Sequence, residues 1–152
     1  TFSLVYVSSF QATNGPLITH LSMIPAAIAM LLVIPCEVGQ QPFDVDEAET
    51  EICEGVLAEY SGRPLARFKL MHNIKMYMMS ALFVVLFLNI QTGYLACDIL
   101  LFIVFTLLTV FVSMSLPHAV SARLRVEQVF KFYWTIVAGL AAISLILVWC
   151  GI

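Results

Sequence analysis

Apolar residues run in long uninterrupted stretches along this chain, and the charged positions are gathered between them. Four stretches, at about 17–36, 70–90, 94–116 and 132–149, are each long enough to cross a hydrocarbon core of about 30 Å as helix. The first is opened by the breaker Asn14-Gly15-Pro16 and closed by Pro35 and the onset of charge at Glu37. Pro25 lies inside it and is expected to bend it, because proline removes one backbone hydrogen bond and crowds the preceding turn. Residues 2–10 are too short to span and read as the last turns of a further, partial helix. Gln91-Thr92-Gly93 makes the turn between the second and third spans, and Asp98 falls near the start of the third, where an interfacial position is expected. The methionines at 71, 76, 78 and 79 read as adaptable packing.

Between the first two spans the pattern changes. Residues 37–62 hold eight of the ten acidic residues of the chain. Asp46-Glu47-Ala48-Glu49 has the spacing of an N-cap followed three residues later by Glu, with acids in the first turn where the helix dipole favours them. A short helix over about 47–60 is therefore expected, ended by Gly62. Its geometry puts Glu47, Glu51 and Glu54 on one face and Ile52 and Val56 on another.

Composition agrees with the spans. The chain is 61% hydrophobic and 11% charged, against about 45–50% and about 25% for an ordinary soluble domain. The fold class is all-α, a polytopic transmembrane helical bundle of four complete spans with a short acidic helix outside the membrane. It forms a single membrane domain over 1–152, with an acidic loop at 37–69 and a second loop at 117–131. All seven Lys and Arg residues lie in or beside these two loops, and the opposite connections have none. The positive-inside rule puts both loops in the cytoplasm. The net charge of −3 comes from the acidic loop, and no basic stripe or stacking platform suggests nucleic acid. The four cysteines and three histidines are dispersed, without the spacing of a metal site.

No nucleotide-binding glycine loop, nucleophile triad order or zinc signature occurs, so the chain does not read as an independent enzyme. Carboxylates with arginines on the same membrane face suit two tasks. One is proton conduction, which needs proton affinities that move with burial or a nearby charge. The other is docking of a basic soluble partner.

Pro42-Phe43-Asp44, Glu47-Ala48-Glu49, Glu51 and Glu59-Tyr60-Ser61-Gly62 together resemble the signature loop of the complex I membrane subunit that meets the peripheral arm. They are also similar to its counterpart in energy-converting, membrane-bound [NiFe] hydrogenases. Arg123-Leu124-Arg125-Val126-Glu127-Gln128 resembles the second cytoplasmic motif of that family, ahead of its last helix. The resemblance covers nearly all of this chain and about the C-terminal half of a typical member. It implies a subunit without metal or other cofactor of its own, anchoring a peripheral arm whose large and small hydrogenase subunits carry the NiFe centre and iron–sulfur clusters. It further implies antiporter-like membrane subunits as neighbours, and the plasma membrane of a bacterium or archaeon as location. Proton coupling is carried over onto Glu37, Asp44, Glu47, Glu49, Glu51 and Glu59, with Arg123 and Arg125 as charge partners.

Quinone-reducing members commonly carry a basic residue just before Pro-Phe-Asp, where this chain has Gln40 and Gln41. That departure, with the wording EGVLAEYSG and Arg-Leu-Arg, is similar to the hydrogenase branch, in which ferredoxin- or formate-driven hydrogen evolution is linked to proton or sodium translocation. Two alternatives stand beside it: a quinone-site subunit of a complex I type enzyme, and an independent transporter or structural scaffold.

Overall fold

In the computed structural model, which describes residues 3–44 and 59–151, every regular element among those residues is helical. Four helices are long and apolar enough to cross a membrane. The expected acidic helix at 47–60 falls almost entirely on residues 45–58, outside the described residues.

The first helix, α1 (Leu4–Asn14), includes most of the expected partial helix and ends at Gly15. Its Gln11 is buried, and its amide donates to the carbonyls of Val85 and Leu86 at 3.0 and 2.8 Å. Those carbonyls belong to the last turn of the second span, α3 (Arg63–Phe87), where a helix leaves its final acceptors unpaired. The Gln11 Oε1 accepts the Asn89 N–H at 3.2 Å. One buried side chain thus closes the end of α3.

Two 3₁₀ turns, Leu17–Thr19 and Leu21–Met23, precede α2 (Ile24–Val38). Pro25 therefore does not bend a helix interior. It sits in the first α-helical turn, where its missing N–H would have had no partner. Pro35 does not end the span either, since α2 continues through it to Val38. The cost of an internal proline is a carbonyl left without its donor, here that of Leu31 four residues back. The Ser113 hydroxyl donates to that carbonyl at 2.9 Å. Tyr133 Oη donates to the next carbonyl, Leu32, at 2.7 Å, and Ser144 Oγ to Ser22 at 2.7 Å near the 3₁₀-to-α transition. Hydroxyls from neighbouring spans thus satisfy the interrupted backbone, as a bilayer interior requires.

Ser113 and Tyr133 both lie in π turns. The third span, α4 (Leu95–Val120), contains one at Phe111–Ser115, and the fourth, α5 (Val126–Trp149), one at Tyr133–Val137. Helices α3 and α5 begin at Arg63 and Val126, six or seven residues before the apolar stretches do, because helix formation can continue past the hydrocarbon edge. At 1.5 Å per residue α3 is roughly 37 Å long, more than a core of about 30 Å needs. Its basic first turns therefore stand outside.

The core is small and centres on α2. Ala27, Ile34 and Val38 pack with Phe83, Val84 and Phe87 of α3 and Met114 of α4. The first span is the most buried of the four, and the third and fourth are the most exposed. Large apolar side chains such as Leu107, Phe111 and Leu145 face outward instead, the distribution expected where lipid replaces water. Asp98 lies in the first turn of α4 and accepts from Thr92 N and Oγ1 at 2.7 and 2.6 Å, holding the turn before that helix.

Candidate functional site

Pro42-Phe43-Asp44 of the first motif and Arg123-Leu124 of the second meet at the end of the bundle where α2 stops. Gly39 adopts φ 81°, ψ 33°, a left-handed geometry that side-chain-bearing residues rarely take. Its N–H reaches the Cys36 carbonyl and the N–H of Gln40 reaches Pro35, a Schellman termination that satisfies the last carbonyls of α2. The next turn is closed by the Phe43 N–H on the Gln40 carbonyl at 2.9 Å, with a cis Gln41–Pro42 bond inside it. These two devices turn the chain back so that Pro42 and Phe43 are buried rather than projecting into solvent.

Phe43 is held by aromatic rings of α5. Its ring centroid lies 5.7 Å from that of Phe132 and 5.2 Å from that of Tyr133, the latter in an edge-on arrangement. Backbone bonds then join the two motifs. The Leu124 N–H donates to the Pro42 carbonyl at 3.1 Å, and the Arg123 guanidinium donates to the Asp44 carbonyl at 2.6 Å. Gln128 completes the second motif locally by accepting the Arg125 N–H at 3.1 Å, which fixes the start of α5. Arg125 itself is exposed.

Two polar pairs cross from the end of α2 to α3. Glu37 Oε1 lies 3.2 Å from Lys75 Nζ, with the side chains 54% and 47% exposed respectively. Such a half-exposed pair contributes at most about 1 kcal/mol to stability, so it is better suited to being exchanged than to holding the fold. Gln40 Nε2 lies 3.3 Å from His72 Nε2, with His72 one turn before Lys75 on the same helix.

The carboxylates expected from sequence are therefore distributed unevenly. Glu37 is exposed on the last turn of α2, Asp44 is half-buried at the end of the loop, and Glu59 is exposed ahead of α3. Glu47, Glu49 and Glu51 lie outside the described residues. Arg123 meets the first motif through the Asp44 backbone, while the base beside Glu37 is Lys75, whose place in the sequence bears only on membrane orientation. Sequence pattern also leaves His72, Gln40, Phe43 and Tyr133 without an assigned contact. Lys75 and His72 do carry a signal, as polar residues one turn apart beneath the loop on a helix otherwise turning apolar. Among the described residues no group of three or more His, Cys, Asp or Glu could hold a metal ion.

Four membrane-crossing helices with a folded-back, motif-bearing junction at one end define a multi-pass helical membrane protein. Residues 1–149 match the NADH dehydrogenase family, and the chain belongs to it. It is 40% identical over 127 residues to hydrogenase-4 component C of Escherichia coli K12, covering 80% of this chain and 39% of that protein. It is 37% identical over 111 residues to an NADH-quinone oxidoreductase subunit of Dehalococcoides mccartyi CBDB1, covering 73% and 31%. The corresponding protein of Brevibacillus brevis is 30% identical over 129 residues, covering 77% and 36%. The chain thus spans 31–39% of the length of these relatives. No solved structure matches it. The family read from the two motifs is the family found.

Proposed function

We propose that this chain is the membrane-anchoring and ion-coupling part of a membrane-bound [NiFe] hydrogenase complex, linking ferredoxin- or formate-driven hydrogen evolution to proton or sodium translocation. The observation that carries this reading is the joining of the two motifs. Arg123 and Leu124 hold the Pro42-Phe43-Asp44 turn against α5, close in the chain to a carboxylate, Glu37, that already shares a base with α3. A loop tied in this way can respond to a partner bound outside and alter the charge balance at the bundle end. Similarity to hydrogenase-4 component C supports the hydrogenase branch.

In this reading Glu37, Asp44, Glu47, Glu49, Glu51 and Glu59 handle protons, and Arg123 and Arg125 balance their charge. The loop faces the cytoplasm across a plasma membrane. The partners are the hydrogenase large and small subunits, which carry the NiFe centre and iron–sulfur clusters, and antiporter-like membrane subunits. This chain supplies no cofactor and no complete catalytic site. Glu→Gln at Glu47 or Glu51 tests it: dye-linked hydrogen chemistry should persist while ion pumping falls. Equal loss of both in an assembled complex contradicts the coupling role.

Similarity to the NADH-quinone oxidoreductase subunits favours a second reading, a quinone-site subunit. Quinone-site inhibitors acting on the intact complex would select it.

A further inference from the structure

Tyr133 touches both the folded-back loop and the interrupted backbone of α2. Its ring packs edge-on against Phe43, centroids 5.2 Å apart, and its hydroxyl donates to the Leu32 carbonyl at 2.7 Å. We propose that Tyr133 is a positioning residue through which displacement of the 39–44 loop tilts the end of α2 and so changes the distance between Glu37 and Lys75. This rests on the coupling role proposed above.

The geometry supplies each step. Phe43 is buried with Phe132 and Tyr133 beside it, so a movement of the loop pushes on those rings rather than into solvent. Tyr133 opens the π turn of α5, an irregularity that recurs inside helices at functional sites. The hydroxyl meets α2 beside the carbonyl that Pro35 leaves without its helical donor, where hydroxyls of neighbouring spans hold the helix in place of its own N–H. Glu37 follows Leu32 by little more than one turn, and its pairing with Lys75 is half-exposed and weak enough to open. Opening it would leave the carboxylate and the ammonium separated at the bundle end, changing the local charge arrangement that a passing ion meets. Among the described residues, Cys36 and Glu37 on α2, His72 and Lys75 on α3, Asp44 in the loop, Arg123 bound to it and Tyr133 itself are titratable or charged groups around this path.

The test uses the assembled complex in inverted membrane vesicles, reading electron transfer, ions translocated per electron, and hydrogen exchange of the 32–38 and 40–44 amides. Tyr133→Phe keeps the ring and removes the hydroxyl. It should leave electron transfer near its original rate while ions per electron fall about fivefold, the factor that one net hydrogen bond gives a two-state equilibrium. Exchange changes in the two segments should then no longer occur together on reduction. A merely structural role would lower electron transfer and pumping in parallel, and that result overturns the inference. Glu37→Gln separates the two levels of the proposal. If pumping falls in Glu37→Gln but not in Tyr133→Phe, the Tyr133 inference fails and the coupling role stands; if it falls in neither, the Tyr133 inference fails, and Glu51→Gln in the same vesicles decides the coupling role. Should Tyr133→Phe not assemble, Phe43→Leu removes the ring contact and leaves the hydroxyl, and the same ratio decides.

Discussion

The Ser113 hydroxyl occupies the place of the backbone donor that Pro35 lacks, 2.9 Å from the Leu31 carbonyl. A proline in the most buried span is thereby compatible with a continuous helix, and α4 is tied to α2 at one defined height. Ser113→Ala should lower thermal stability in detergent by about 1–2 kcal/mol, the cost of a buried carbonyl left unpaired. Pro35→Ala restores an N–H that can serve the same carbonyl, so in that background the serine substitution should cost distinctly less. Melting curves of the four variants check the cycle. Equal costs in both backgrounds would show that the hydroxyl does not replace the missing donor.

Arg123 fixes the loop through a main-chain acceptor, the Asp44 carbonyl at 2.6 Å. A planar guanidinium has directed donors that an ammonium cannot reproduce. Arg123→Lys should therefore raise hydrogen exchange across residues 40–44 by more than tenfold, as loss of a charge-assisted bond of about 1.5–3 kcal/mol implies. Exchange in α1 should stay as it was. Unchanged protection of the loop would mean that the Leu124–Pro42 bond suffices alone.

The Glu37–Lys75 pair separates charge from packing. Exchanging the two residues, Glu37→Lys with Lys75→Glu, keeps the attraction and should alter stability by less than about 1 kcal/mol. It moves the carboxylate from α2 to α3, however, and pumping should fall well below that of the parent complex. Vesicle pumping and melting temperature measured on the same preparation distinguish the two effects, and retained pumping would show that the position of the carboxylate is unimportant.

Gln40 and His72 make a pair whose direction depends on the imidazole tautomer. With the Gln40 amide nitrogen 3.3 Å from Nε2, the neutral imidazole accepts there and carries its proton on Nδ1. Nitrogen NMR of histidine-labelled protein should show the Nδ1–H tautomer at His72, and Gln40→Leu should redistribute it. The opposite tautomer in the parent protein would reverse the pair.

How much of this is legible in the sequence follows from the physics of each part. The spans are, because a run of apolar residues long enough to cross lipid has few other uses. Their ends are not: Pro35 reads as a terminator in one dimension, and only Ser113, 78 residues later in sequence, makes it an interior residue. The two motifs are visible as words, and their placement on one membrane face follows from the lysines and arginines. Their junction through the Pro42 and Asp44 carbonyls is invisible, since backbone acceptors leave no mark on sequence. Lys75 counts only for orientation in one dimension, yet the geometry brings it to Glu37. Tyr133 looks like one more apolar-span aromatic until its hydroxyl finds the Leu32 carbonyl.

Membership of a hydrogenase complex is tested most directly by the nickel and iron content of the assembly purified in mild detergent through this subunit, with partner peptides identified in the same sample. Stoichiometric nickel with abundant iron, alongside large and small hydrogenase subunits, is the predicted result. Iron without nickel, with peptides of a quinone reductase, would contradict it and select the complex I reading; neither metal in a sample whose peptides show an intact assembly would leave a transporter or scaffold.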